Sequence, residues 1–254
     1  MDVQNMIRQY LARIGYQGDT PLCRETLDRL QTLHYETVPY ENLDILRGKP
    51  ISFEIGDLFD KIVTRRRGGY CFELNGLYGW LLSSLGFAVG DYMARFLLRE
   101  PEIPMRRHRV LVVSLDGRRY LCDVGVGLEV PRKTILLEEG TLQNDGFTTY
   151  KIKKDPFLGW VLWEEYRGEW IQYYSFTEEP QLPIDYVMPS FYCERHPDSI
   201  FNKEPMVAIM TPTGRRTLDG DVFTDHTPQG PVKSTASSRE EHEARIMEYF
   251  GLST

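Results

Sequence analysis

The sequence predicts an α+β fold in which helices come first, strands follow, and the last segment contains both. Apolar residues recur at helical spacing as far as Gly86. Beyond Gly86 the chain consists of short runs rich in β-branched and aromatic residues, which are typical of strands. Near the end, Ser238 and Glu241 form the sequence signature of a capping box, which predicts a terminal helix that ends before Gly251.

Four helices are expected in the first third of the chain. The first ends at Gly15, a residue suited to a C-cap, and Thr20-Pro21 is a typical start for the second. A third helix is expected over 55–63 and a fourth over 71–85. The first helix is predicted from an apolar stripe formed by Val3, Met6, Ile7, Tyr10, Leu11 and Ile14.

The strand-rich region begins after the fourth helix. Asp116-Gly117 is a strong signal for a two-residue hairpin turn between two of its strands. Further on, 206–210 and 217–223 are expected to pair as strands, whereas 227–237 reads as a loop. Many short strands in succession indicate a barrel or a sandwich. The predicted strands are 87–98, 108–115, 118–124, 147–153, 160–163 and 170–176.

Composition narrows the functional classes. The formal net charge of −7 makes general nucleic-acid binding improbable, because backbone binding needs a basic face. The apolar runs are far shorter than the roughly 20 residues of a membrane span, and the N-terminus lacks the pattern of a signal peptide. The sequence therefore predicts a cytoplasmic protein without a nucleic-acid or membrane partner; its oligomeric state stays open.

The cysteines and most histidines do not indicate a metal site. The four cysteines are far apart and show no metal-finger spacing, so we expect free thiols and no metal. No glycine-rich phosphate loop is present either. His34 is expected at the end of a helix, where an imidazolium would suit the helix dipole.

Cys71 is the thiol in the most distinctive position. It follows Arg67-Gly68-Gly69-Tyr70 and opens an apolar helix. A thiol at a helix N-terminus lies near unpaired amides and the positive end of the dipole, which favour the thiolate. The alternative is a small core residue at the start of a buried helix.

The predicted hairpin supplies an independent argument. If Asp116-Gly117 is a two-residue turn, Val110 lies opposite Asp123, and His108 shares the face of Val110. His108 and Asp123 are then diagonal neighbours, roughly 7–8 Å apart at the backbone. Cys122 lies on the other face, so Cys71 is the thiol expected to meet this pair. A surface histidine–aspartate pair is the alternative.

Several segments, in order, resemble motifs of the arylamine N-acetyltransferases. The stretch 67–75, RGGYCFELN, resembles the nucleophile motif of that family, and 38–43, VPYENL, resembles an upstream segment. His108 and the stretch 123–127, DVGVG, are similar to its histidine and aspartate motifs. Later signatures are matched by HPDSIF at 196–201 and TPTGR at 211–215.

This resemblance implies a fold of three parts. A helical bundle over 1–86 would carry the nucleophile, a β-barrel over 87–190 would carry the histidine and aspartate, and an α/β lid would follow over 191–254. It also implies a cysteine-protease-like catalytic triad. The three residues of that triad would be Cys71, His108 and Asp123.

The implied activity is acetyl transfer from acetyl-CoA to arylamines, hydrazines or arylhydroxylamines, as in xenobiotic metabolism. The implied mechanism is ping-pong, through an acetyl-cysteine intermediate. Coenzyme A contacts are expected at Arg107, Thr211 and Gly214. Acceptor contacts are expected at Tyr40, Val126 and Phe201. An ion pair between Arg67 and Glu41 is expected near the nucleophile.

Some positions depart from the family pattern, and other functions stay open. Val126 stands where an aromatic residue is usual, and Tyr40 replaces a phenylalanine. An amide synthase of the same fold, acting on a biosynthetic acyl chain, would use the same triad. So would a transglutaminase-like cysteine hydrolase. A non-catalytic binding protein that keeps the fold is a third alternative.

Overall fold

The computed structural model describes residues 2–253 and has the predicted order of helices, strands and a mixed final segment. The Asp2 carboxylate accepts a hydrogen bond from the Asn5 amide at the start of the first helix, and Ser238 caps the last one in the same way. The last helix ends before Gly251, whose φ of 66° is left-handed, as predicted. The helices are Val3–Arg13 (α1), Arg24–Thr37 (α2), Leu43–Leu46 (α3), Ile55–Phe59 (α4), Cys71–Ser84 (α5), Val187–Arg195 (α6) and Arg239–Phe250 (α7), with a π-helical turn Asp60–Thr64 and a 3-10 turn Pro183–Tyr186.

Three helices differ from expectation, and the short α3 is one that was not predicted. Helix α2 begins at Arg24 rather than at Thr20-Pro21, because the Cys23 amide first closes a turn onto the Pro21 carbonyl. Helix α6 was not predicted. Its apolar residues Met188 and Phe191 are exposed while Ser190 and Cys193 are buried, so the pattern that normally indicates a helix is inverted.

Eight antiparallel strands form the larger sheet, which curls into a nearly closed barrel. Its order is β5-β4-β3-β2-β9-β8-β7-β6. The two edge strands are bridged by Gln143, whose side chain bonds to the amide and carbonyl of Leu136. The strands are Ala88–Phe96 (β2), His108–Leu115 (β3), Arg118–Cys122 (β4), Ile135–Leu136 (β5), Gln143–Asn144 (β6), Thr149–Asp155 (β7), Gly159–Tyr166 (β8) and Glu169–Pro180 (β9).

Helix α5 is buried on almost all sides and packs against β2 and β3. A helix that is apolar all round belongs in a core, which is why the sequence after Cys71 shows no polar face. The same core cluster also contains buried residues of α1, α2 and the larger sheet. The division into domains at 86/87 and 190/191 stays a prediction.

The smaller sheet has the order β1-β10-β11-β12-β13 and comprises Tyr40–Glu41 (β1), Met206–Thr211 (β10), Gly214–Asp219 (β11), Val222–Thr227 (β12) and Gly230–Thr235 (β13). The predicted single strand 217–223 was wrong: it is split by a turn at Gly220, where φ is 58°. The predicted loop 227–237 was also wrong, since it contains β13. Pro231 is tolerated there because β13 is an edge strand.

Strand β1 attaches the smaller sheet to the N-terminal segment. Tyr40 pairs with Ala208, and Glu41 pairs with Val207. This pairing brings a strand from the end of the chain to the loop that precedes Cys71. Within residues 2–253, no helix is long and apolar enough to cross a membrane.

Candidate active site

A buried cluster of charges fixes the chain before Cys71. Arg67 donates to the Glu41 carboxylate at 2.7 Å, which matches the expected ion pair. Lys61 bonds to Glu73 at 2.8 Å and to Asp44 at 2.9 Å. Because these groups are nearly inaccessible to water, removing one partner would leave an uncompensated buried charge. The cluster therefore constrains the loop that leads into α5.

Cys71 is the first residue of α5 and is only 3% exposed. Its Sγ lies 3.8 Å from the carbonyl oxygen of Arg107, the residue before His108. Burial raises the pKa of the Cys71 thiol well above its ordinary value, although the Arg109 and Phe72 backbones act in the opposite direction. The helix N-terminus favours the thiolate and burial opposes it, so the thiolate at Cys71 stays a prediction.

The β3–β4 hairpin has the predicted register. Asp116 and Gly117 have φ of 50° and 72°, as a type I′ turn requires, and Leu115 pairs with Arg118. His108 Nε2 lies 2.7 Å from Asp123 Oδ2. Both residues are only 3% exposed. The alternative of a surface histidine–aspartate pair is therefore wrong.

Aromatic rings and amides hold the imidazole and the carboxylate in place. The rings of Phe96 and Tyr174 lie 6.0 Å and 5.4 Å from the His108 ring. Asn75 Nδ2 donates to Asp123 Oδ1 at 2.8 Å and to the Arg109 carbonyl at 2.6 Å. Asn75 therefore links α5 to β3 and to the segment that directly follows β4.

Asn75 and Gln31 were not predicted from the sequence to have a role in the site. Gln31 accepts a hydrogen bond from the Asp123 amide at 3.2 Å and donates to the Pro131 carbonyl at 2.8 Å. Asn75 lies one helical turn after Cys71, on the same side of α5, and that spacing is the signal that could have found it. Gln31 has no such signal, because its contacts are about a hundred residues away.

Gly125 permits the close approach of two chain segments. A Cβ on Gly125 would lie 2.7 Å from Cys71 Cα and 2.6 Å from Asn75 Nδ2. Only glycine fits at this separation. The loop after Asp123 is therefore in direct contact with the nucleophile candidate.

Two of the three predicted catalytic residues, Cys71 and His108, line one cleft of about 710 Å³ between the barrel and the smaller sheet. Asp123 does not line this cleft but bonds to the His108 ring. The three expected acceptor-contact residues, Tyr40, Val126 and Phe201, line it as well.

Of the expected coenzyme contacts, only Arg107 lines the cleft. Thr211 and Gly214 lie in a hairpin whose carbonyl oxygens accept hydrogen bonds from Arg132 at 2.6 Å and 2.5 Å. The structure does not bring these two residues to the cleft. Strands β11, β12 and β13 supply polar lining residues that sequence reasoning missed, namely Arg215, Thr217, Thr224, His226 and Lys233.

The basic run 106–109 is divided among three environments. Arg106 lies at the surface 3.1 Å from Glu179, and Arg107 pairs with Glu100 at 3.0 Å beside the cleft. Arg109 points inward, where it bonds to Asp91 and to the Phe72 carbonyl. Of the three arginines, only Arg107 is placed to meet a cleft ligand.

His34 differs from the expected imidazolium. It is fully buried between the rings of Tyr10 and Tyr78, and burial lowers its pKa to about 3. It is therefore neutral. Across the described part of the chain, no group of three or more acidic, cysteine or histidine residues is arranged to hold a metal ion.

Comparisons with known proteins define the class. A family model described as N-acetyltransferase matches residues 24–254. The arylamine N-acetyltransferase of Mycobacterium tuberculosis is 35% identical over 249 residues, covering 96% of this chain and 88% of that protein. The Escherichia coli enzyme of the same name is 33% identical, covering 87% of this chain and 79% of that protein.

Solved structures give the same result. The arylamine N-acetyltransferase from Salmonella typhimurium superimposes with a TM-score of 0.92 and 28% identity, covering 97% of this chain and 91% of that one. The Mycobacterium marinum enzyme in complex with CoA superimposes with a TM-score of 0.90 and 33% identity, covering 96% of this chain and 92% of that one. The protein is thus an acyltransferase. It belongs to the arylamine N-acetyltransferase family.

Proposed function

We propose that this enzyme transfers the acetyl group of acetyl-CoA to arylamines, hydrazines or arylhydroxylamines through an acetyl-Cys71 intermediate. The observation that supports this most directly is the arrangement of Cys71, His108 and Asp123. Cys71 and His108 share one cleft, and Asp123 is bonded to His108. The names of related enzymes carry arylamines and N-hydroxyarylamines as acceptors, and hydrazines are added from the family resemblance.

In the first half-reaction, Cys71 gives its proton to His108 and attacks the thioester carbonyl carbon. Since Asp123 bonds to Nε2, Nδ1 is the ring nitrogen that accepts this proton. Burial opposes a lone thiolate, so the thiolate forms as part of an ion pair with the imidazolium, which Asp123 stabilises. The Cys71 N–H, at the start of α5, is a donor for the developing oxyanion.

The carbon–sulfur bond of the donor then breaks, and His108 returns the proton to the departing coenzyme A sulfur. In the second half-reaction the amine nitrogen attacks acetyl-Cys71, and His108 takes a proton from that nitrogen. When the bond to Cys71 breaks, the proton passes to its sulfur. The free thiol is regenerated, and the acceptor leaves as an amide.

The cleft contains cations suited to the phosphates of acetyl-CoA. Arg107, Arg215 and Lys233 line it within an otherwise acidic protein. We expect Arg107→Ala to raise the KM for acetyl-CoA several-fold. Arg106→Ala is the matched control, because Arg106 is outside the cleft. Equal KM values in both variants would contradict a phosphate contact at Arg107.

Mass spectrometry tests the proposed intermediate. Protein mixed with acetyl-CoA, without an acceptor, should gain one acetyl group on the peptide that contains Cys71. Addition of an arylamine should remove it and yield the acetylated amine. Cys71→Ser should abolish the modification, whereas Cys122→Ser should retain it. Peptide hydrolysis without acetyl-enzyme would favour a cysteine hydrolase, and preference for a longer acyl donor would favour an amide synthase.

A further inference from the structure

A second cavity adjoins the catalytic cleft on the side of the larger sheet. Its volume is about 670 Å³. It shares four lining residues with the cleft: Leu98, Arg99, Leu128 and Arg215. The two spaces therefore adjoin at these four residues.

The walls of this cavity are mostly apolar. Such walls favour a hydrocarbon or aromatic ligand group, at about 25 cal/mol for each Å² removed from water. Apart from the shared leucines, they are formed by Leu97, Trp163, Ile171 and Tyr173. The Tyr173 hydroxyl is already occupied, since it donates to the Glu129 carbonyl oxygen.

Glu164 is the exception in this wall. The residue is only 3% exposed, yet it lines the cavity. Within residues 2–253, no side chain donates a hydrogen bond to its carboxyl group or forms an ion pair with it. Buried carboxyl groups are normally paired, because burial without a partner is costly. An unpaired one in a cavity wall therefore indicates where a ligand group binds.

The charges around Glu164 determine which kind of group that is. Glu129 is already paired with Arg215 at 2.7 Å, and Arg99 is exposed to water. Burial, together with the nearby Glu129, raises the pKa of the Glu164 carboxyl to about 7, although Arg215 and Arg99 act in the opposite direction. Neither arginine forms an ion pair with Glu164, so a cation in direct contact would stabilise its carboxylate.

We propose that the second cavity binds a cationic group at the far end of an extended arylamine acceptor, with Glu164 as its counter-ion. The reacting nitrogen lies at Cys71, and an apolar side arm passes between Leu98 and Leu128. Placement of the nitrogen at Cys71 rests on the proposed function. The preference of the cavity for a cation does not rest on the proposed function.

Direct binding tests the cavity without any chemistry. The probes are nitroarenes, which cannot be acetylated. Each carries a para side arm, and the arm length increases along the series. The arm ends either in trimethylammonium or in its neutral isostere, tert-butyl. By isothermal titration calorimetry, the wild-type protein should bind one cationic probe about tenfold more tightly than its neutral isostere. Glu164→Gln should lose this preference. Glu165→Gln, the exposed neighbour on the same strand, should keep it.

Kinetics with the corresponding anilines test the extension to acceptors. In the wild type, kcat/KM should be about tenfold higher for the cationic aniline than for its isostere. That ratio should fall to about one in Glu164→Gln and persist in Glu165→Gln. Equal binding of cationic and neutral probes by the wild type, at every arm length, would overturn the proposal. A binding preference that depends on Glu164, without acetyl transfer to any aniline, would support the cavity site and refute the proposed function instead.

Discussion

Gly125 shows how one residue without a side chain sets the geometry of the site. Replacement by alanine would add a Cβ 2.7 Å from the Cα of Cys71, which is backbone and cannot rotate away. Either the 125–127 loop or the start of α5 must shift. We expect Gly125→Ala to lower kcat by about a hundredfold, because small misplacements of reacting groups have effects of that order.

Gly56→Ala is the matched control for this variant. A Cβ on Gly56 meets nothing within 4 Å, and the residue lies in α4, where alanine is favoured over glycine. Steady-state assays should therefore show unchanged kcat for Gly56→Ala. A Gly125→Ala enzyme with the kcat of the wild type would show that the close contact is not needed for turnover.

His34 couples stability to pH. Its pKa is about 3 in the folded protein, against an ordinary value of 6.5, so below pH 6.5 the unfolded chain binds a proton that the folded protein does not. The contribution of the neutral His34 side chain to the free energy of unfolding is therefore complete above pH 6.5, and it is lost as the pH falls towards 3. The free energy of unfolding should decrease by up to about 1.4 kcal/mol per pH unit from this residue alone.

We expect His34→Phe to remove this dependence of stability on pH, because phenylalanine does not titrate. The substitution breaks no described side-chain hydrogen bond, since both ring nitrogens of His34 lack a described partner. Urea unfolding at pH 7 and pH 5 measures the change. The decrease should be smaller in His34→Phe than in the wild type. His196→Phe, at an exposed position, should behave as the wild type. Equal decreases in all three proteins would refute a buried neutral His34.

At the scale of elements, the hairpin was the part of the site that the sequence predicted best. Turn chemistry at Asp116-Gly117 fixes the register, and the register alone brings His108 and Asp123 to one face. Alternation along a strand is local, so it can be read from the sequence. Contacts with residues of other elements cannot be read from it. Gln31 reaches Asp123 from α2, and no periodic pattern encodes that contact.

Gly117→Ala tests whether the turn contributes to stability rather than to catalysis. The φ of 72° is unfavourable for alanine by about 1–2 kcal/mol, although a Cβ there meets nothing within 4 Å. We expect the free energy of unfolding to fall by about that amount, with kcat unchanged. Urea unfolding and steady-state kinetics measure the two quantities. A large loss of kcat without loss of stability would contradict this division.

At the scale of the whole molecule, the order of helices, strands and a mixed end was predictable because hydrophobic periodicity changes along the chain. The assembly of the cleft could not be predicted in this way. Strand β1 is only two residues long and pairs with β10, more than 160 residues later. Strands β11 to β13 follow β10 in the same sheet, so no local pattern could show that they line the cleft. The coenzyme contacts at Thr211 and Gly214 came from the family resemblance and stay a prediction.

Arg132 connects the barrel side of the cleft to the smaller sheet. Its guanidinium donates to the carbonyl oxygens of Thr211 and Gly214, and it stacks 3.6 Å from the centre of the Phe147 ring. Lysine cannot make both bonds in this geometry. We therefore expect Arg132→Lys to destabilise the protein by about 1.5–3 kcal/mol, the value of a hydrogen bond to a charged group.

The same variant should loosen β10 and β11 before the rest of the protein unfolds. Amide hydrogen exchange in Met206–Thr211 and Gly214–Asp219 should become faster, while exchange in α5 stays unchanged. Because β11 lines the cleft, the KM for acetyl-CoA should rise with little change in kcat. Arg118→Lys, at an exposed position of the β3–β4 hairpin, is the control and should alter neither quantity. Uniformly faster exchange in Arg132→Lys would mean that Arg132 stabilises the whole fold rather than joining its two sheets at the cleft.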